Sequence, residues 1–277
     1  MDNPLEAIKK RRSVRTFHPG PLGPAELDRL QELCRERRTG PFGNPVRFRL
    51  LDLSLVSEEE RRRLGTYGVI RGARFYILAA VKDQERAMED LGYCMEKLIL
   101  ELVSMGLGTC WMAGTFRRSS FAAQMDLEEG ELLPAISPVG YPADRASLTE
   151  RVMRYGVRAD RRKPFEELFL EADGSPLTRE AAGLYRDALE AVRLGPSASN
   201  RQPWRMLRDE GGCFHLFLKE DQGYNRAQGR IRIQNIDMGI AMCHFELAAG
   251  QLGLKGRWLH QAPGLALPGL EYIATWA

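Results

Sequence analysis

The chain has 277 residues, 44% of them hydrophobic and 28% charged, with a formal net charge of +3. This is the composition of an ordinary globular protein with a full core. Its basic runs (Arg35, Arg37 and Arg38; Arg61 to Arg63; Arg161 to Lys163) carry no interleaved aromatics, which argues against nucleic-acid binding. The five cysteines, at 34, 94, 110, 213 and 243, show neither CxxC pairing nor a histidine at metal-ligand spacing. No metal site is therefore expected, and an odd cysteine count points to a reducing compartment. The N-terminus lacks a signal-peptide profile and no apolar run reaches membrane-span length, so a cytoplasmic protein without membrane contact is expected.

Asn3 followed by Pro4 reads as a helix start running to about Lys10, and Pro24 opens a second helix to about Arg37. Phe48 to Leu53 and Arg74 to Val81 read as strands. From Ala87 to Met105 the apolar residues recur at helical spacing with a wide stripe, ended at Gly106. Strands are expected at Thr109 to Ala113 and at Ala135 to Tyr141.

The segment Asp90–Trp111 then returns, without gaps and 147 residues later, as Asp237–Trp258. The aspartate, Gly92/Gly239, Met95/Met242, Leu100/Leu247, Gly106/Gly253, Leu107/Leu254 and the tryptophan are identical. Upstream, Gly40–Asn44 followed by Phe48-Arg49 parallels Gly195–Asn200 followed by Trp204-Arg205. The pattern predicts two tandem α+β halves, residues 1–172 and 173–277, hinged at the polar stretch Ala172–Pro176. Two such halves would pack their apolar helices around an internal pseudo-two-fold, as an intrachain pseudo-dimer for which a monomer suffices.

Two segments carry candidate chemistry. Arg11-Arg12-Ser13-Val14-Arg15 places three guanidiniums and a hydroxyl together, suited to a phosphate, although an exposed basic patch has the same composition. Gly195 to Trp204 is a tight loop in which Ser197, Ser199, Asn200 and Gln202 offer mixed donors and acceptors. Those groups suit the polar edge of a heteroaromatic ring, or serve ordinary turn chemistry. The four histidines, 18, 215, 244 and 260, read as structural, with 215 and 260 at strand positions and 244 on a helix face.

Taken jointly, "RRSVR" after the first helix, "PSASNRQPW", "GLGTCWMAGTF", "PVGYPA" and "RRKPFEEL" resemble the nitroreductase superfamily, specifically a fused, tandem-half type. The resemblance implies FMN bound between two halves of a nitroreductase-like fold. Arg11, Arg12, Ser13 and Arg15 would meet the phosphate side, and Arg161, Arg162 and Lys163 would close it. Ala113, Gly114 and Thr115 would face the flavin edge, with Pro196, Ser197, Ala198, Ser199, Asn200 and Gln202 along the ring. The family keeps its arginine motif and its serine loop in one short subunit. Here the first half reads Pro41-Phe42-Gly43-Asn44-Pro45 at the loop position, and the second has no arginine motif near Ser175–Arg179. One complete site per chain is expected.

The implied activity is hydride transfer from NAD(P)H through flavin to a nitroaromatic, quinone or similar acceptor, with no catalytic side chain required. The alternative is a flavin-binding sensor or carrier without turnover. The loop Gly65–Ile70 is expected near the pocket, where it could cover the ring and favour that alternative, or be a surface turn.

Overall fold

The computed structural model describes residues 1–221, 229–261, 264 and 267–277. Helix α1 (Pro4–Lys10) begins as expected, with Asn3 Oδ1 accepting the Glu6 N–H and proline at the first turn. Next come α2 (Pro24–Arg35), β1 (Arg38–Thr39), β2 (Pro45–Asp52), α3 (Glu58–Arg63) and β3 (Phe75–Lys82). The long α4 (Ala87–Ser104) is followed by β4 (Gly108–Thr109), α5 (Arg118–Met125), β5 (Glu131–Gly140) and α6 (Leu148–Gly156). The chain continues through α7 (Phe165–Leu168), β6 (Phe169–Glu171), α8 (Arg186–Leu194), β7 (Trp204–Arg208) and β8 (Phe214–Leu218). It ends with α9 (Ile233–Gln251), β9 (Trp258–Leu259) and β10 (Glu271–Trp276).

Two five-stranded sheets result, ordered β1-β2-β3-β5-β4 and β6-β7-β8-β10-β9. Each is the same permutation of its own strands in chain order, with a long helix inserted after the third. The edges differ: β1 pairs antiparallel to β2, whereas β6 pairs parallel to β7. Strand β6 belongs to the second sheet, which therefore begins before the Ala172–Pro176 stretch. No helix among the described residues is long and apolar enough to cross a membrane.

The repeated residues are those the backbone cannot do without. Gly106 and Gly253 take φ of 82° and 74°, ending α4 and α9 in the left-handed conformation. The following leucine amides reach back to Leu102 O and Ala249 O at 3.0 and 2.9 Å, as helix C-caps require. Gly92 and Gly239 lie where α4 crosses α9. A Cβ at Gly92 would come within 2.1 Å of Ile236 O, and one at Gly239 within 1.8 Å of Glu89 O. Those two contacts are the same contact displaced by 147 residues in opposite directions, the pattern of an isologous interface.

Some boundaries move. Helix α2 stops at Arg35 because Glu36 is already extended (ψ 121°) on the way into β1. The strand expected over Thr109 to Ala113 ends at Thr109, since Cys110 N donates to the Ser137 hydroxyl of β5 and not to its backbone; Met112 keeps an isolated bridge to Ile136. His260 lies just past β9, its Nδ1 3.2 Å from Ile273 O.

Candidate functional site

A cavity of about 440 Å³ lies where the segment after α1, the β4–α5 segment, α6, the α8–β7 loop and α9 converge. Its lining includes Arg11, Ser13, Arg15, Ala113, Gly114, Thr115, Arg162 and residues 196–200. Most of the expected site is thereby gathered from four separate stretches of chain.

After α1 the backbone turns extended, with Val14 N donating to Thr109 O and Ser13 bridging Thr109 alongside β4. Side chains therefore alternate. Arg11, Ser13 and Arg15 point to the cavity, Val14 is buried on the other side, and Arg12 is exposed and off the lining. Glu150 of α6 fixes the end of this segment: its Oε2 accepts the Arg15 N–H at 3.2 Å and the Thr16 hydroxyl at 2.8 Å.

The basic segment 161–163 is split in the same way. Arg162 faces the cavity, whereas Arg161 and Lys163 line a neighbouring open cleft of about 930 Å³ that shares Arg162, Ser199 and Asn200 with it. Gln202 is also in that cleft and is consumed by structural bonds. Its Oε1 accepts Lys163 N at 2.8 Å, its Nε2 donates to Asn200 O at 3.2 Å, and its N–H donates to Ser197 Oγ at 2.8 Å. Asn200 Nδ2 donates to Arg158 O and Arg161 O at 2.8 and 2.9 Å. The loop and the basic segment are thus stitched together. This costs strain: Ser199, Asn200 and Gln202 all hold positive φ, at 47°, 55° and 51°.

The electrostatics of the cavity are one-sided. Arg15 Nε and Nη1, Arg11 Nε and Arg162 Nε are buried without a hydrogen-bond partner. Burial pushes the Arg11 guanidinium below its ordinary value, against the pull of Glu96. Arg162 falls to about 10, through burial first and then the like charges of Arg11 and Arg193. Buried donors of one sign, crowded together and without hydrogen-bond partners, fit an anion. The remaining wall is largely apolar: Val69, Trp111, Met153, Val157, Ile233, Ile236 and Ile240.

Several of these wall residues were not singled out in the sequence. Val69 places the Gly65–Ile70 loop at the cavity, while Tyr67 in that loop is 68% exposed with φ 50°. Met153 and Val157 belong to the α6 region and Ile233, Ile236 and Ile240 to one face of α9, all readable as plain core residues. Asp237 also lines the cavity and accepts the Ala198 amide.

A family model described as "Putative TM nitroreductase" matches residues 3–249. The chain belongs to that family. It is similar in fold to a crystal structure described as a "putative nitroreductase" of Thermotoga maritima, at 22% identity and TM-score 0.59, covering 99% of this chain and 92% of that one. An NADH dehydrogenase/NAD(P)H nitroreductase of Bacteroides thetaiotaomicron, so titled as "Putative", matches at 23% identity and TM-score 0.43, over 52% of this chain and 89% of its own. A Bacteroides fragilis nitroreductase titled as having bound FMN matches at 19% identity and TM-score 0.39, over 53% of this chain and 92% of its own. No curated protein sequence matches the chain.

Proposed function

We propose that the chain is an FMN-dependent oxidoreductase working as an intrachain pseudo-dimer with halves near 1–172 and 173–277, one cofactor per chain. The observation that carries this reading is the mixed lining of the cavity, which joins buried arginine donors without hydrogen-bond partners to a largely apolar wall. A flavin mononucleotide has that same division, a dianionic phosphate joined to a flat apolar ring. Arg11, Arg15 and Arg162 would hold the phosphate, and Ser13 the adjoining chain. Ala113 to Thr115 and the Pro196–Asn200 loop would border the ring, with Trp111 and the α9 isoleucines excluding water. Arg12, Arg161, Lys163 and Gln202 lie outside that lining and would act indirectly, if at all, on the cofactor.

When bound, FMN supplies hydride acceptance and donation, so the protein need only bind, orient and shield. The outer cleft, rich in Arg158, Arg161, Lys163, Arg201 and Lys219, suits the phosphates of NAD(P)H beside the ring. A nitroaromatic, quinone or similar acceptor would then use the slot the donor vacates. The test is the visible spectrum of the purified protein. One flavin per chain, bleached by NAD(P)H and restored by an acceptor with ping-pong kinetics, is expected. A flavin doublet that persists with NAD(P)H would favour a sensor or carrier, and two flavins per chain would overturn the single-site assignment.

A further inference from the structure

Glu96 of α4 and His244 of α9 meet between the two long helices with no exposed side-chain surface, Nε2 lying 2.8 Å from Oε1. The other ring nitrogen, Nδ1, lies 2.8 Å from Ala191 O. A carbonyl oxygen only accepts, so Nδ1 carries a proton. Two arrangements then satisfy Nε2: an imidazolium donating to a carboxylate, or a neutral ring accepting from a carboxylic acid. Both hold the same number of protons and both sum to zero charge. A neutral ring against a bare carboxylate would set lone pair against lone pair in the core.

Glu96 also touches two residues that line the cavity. Its Oε2 accepts the Trp111 indole N–H at 2.6 Å, and its Oε1 stands 3.7 Å from Arg11 Nε. That distance is too long for a hydrogen bond, and Arg11 Nε has no hydrogen-bond partner. An uncompensated buried carboxylate so close to a guanidinium would be expected to capture it. The arrangement occurs once. Under the 147-residue shift the counterpart of Glu96 is Cys243, and Trp258 gives its indole proton to Met242 O at 3.1 Å. The departure from the repeat falls on the side that carries Arg11.

From this geometry we propose that His244 is a positioning residue for phosphate binding. It cancels the charge of Glu96, so that Glu96 anchors Trp111 and stands behind Arg11 without neutralising it. Arg11 thus keeps its charge for the anion. The proposal rests on the FMN reading above.

The experiment compares FMN and riboflavin affinities of the full chain, stripped of flavin and titrated by fluorescence. Wild type that binds neither flavin, or both alike, would refute the FMN reading itself. Given a wild-type preference for FMN, His244→Phe leaves Glu96 to recruit Arg11. The preference should then fall roughly 10- to 100-fold, the size of one lost charge-assisted contact, with riboflavin affinity little changed. Glu96→Gln can accept from Trp111 and donate to Nε2, so the preference should persist, and the double variant should regain what His244→Phe lost. Equal weakening of both flavins by His244→Phe would overturn the proposal, as would failure of the double variant to recover. A preference about tenfold above wild type in Glu96→Gln would do the same, because Glu96 would then have been neutralising Arg11. Should His244→Phe fail to fold, that single-variant result decides.

Discussion

The carboxylate of Asp237 accepts the backbone N–H of Ala198 through both oxygens, at 3.0 and 3.2 Å. Asp90, its counterpart in the repeat, does the same service for the first-half loop. It accepts from Phe42 N, Asn44 N and Asn44 Nδ2 at 2.8 to 2.9 Å. The repeated aspartate is therefore the acceptor that ties a helix to the loop before the next strand. The two differ in how well they are satisfied. Burial raises the Asp237 carboxyl well above its ordinary value, with only the Ala198 amide opposing. Asp90 is raised too, against three opposing donors.

A pH dependence follows. Between its ordinary value and its raised folded value, Asp237 binds more protons in the folded chain than in the unfolded one. Its contribution therefore erodes stability as pH rises through that window, from about pH 4 upward. Asp237→Asn keeps an acceptor for Ala198 and removes the charge. Thermal melts without flavin should show the variant gaining on wild type as pH rises from about 4 to 7. Parallel profiles would show that Asp237 does not titrate in this way.

The helix crossing makes a second prediction. Gly92→Ala and Gly239→Ala each drive a methyl into a carbonyl of the opposite helix, and no side-chain rotation relieves it. Each should destabilise by about 1–3 kcal/mol or more in denaturant titrations, and by similar amounts, because the two contacts are images of one another. A large loss at one glycine and none at the other would argue against the pseudo-two-fold.

These cases also show what the sequence made legible. The repeat could be read because its identities answer backbone demands: a left-handed cap at Gly106 and Gly253, close crossing at Gly92 and Gly239, loop amides at Asp90 and Asp237. The arginine motif could be read as a composition but not as a direction. Which arginines face the cavity depends on the extended backbone beside β4, and that pairing joins residues far apart in sequence. Alternation along 11–15 was the available signal. The Glu96–His244 pair left fainter traces, one carboxylate among four on α4 and a single imidazole on α9. His244 reads as structural on its own, and only the crossing of α4 and α9 makes it the partner of Glu96.

Alternation along the motif is testable in its own right. Arg15→Leu removes buried donors without a hydrogen-bond partner, and Arg162→Leu removes one such donor, Nε, along with the Nη bonds to Ala159 O, Asn200 Oδ1 and Leu194 O. Each should weaken FMN by about 1.5–3 kcal/mol and riboflavin much less. Arg12→Leu, on the exposed side, should leave FMN affinity unchanged. Loss of FMN binding in Arg12→Leu would mean that the phosphate approaches from the outer face.

The outer cleft separates donor binding from cofactor binding. Arg161 and Lys219 line it with exposed side chains, and neither lines the cavity. Asn200 grips only the main-chain oxygen of Arg161, so truncating the side chain spares the stitched loop. Arg161→Ala with Lys219→Ala should therefore leave flavin content and the maximal rate near wild type. The KM for NAD(P)H should rise roughly tenfold and depend less on salt, as expected when exposed cations that meet phosphates are removed. If NADPH suffers more than NADH, these cations meet the 2′-phosphate; if both suffer alike, they meet the shared diphosphate. An unchanged KM for both, with flavin fully bound, would place the donor elsewhere and leave the cleft without a role in hydride delivery.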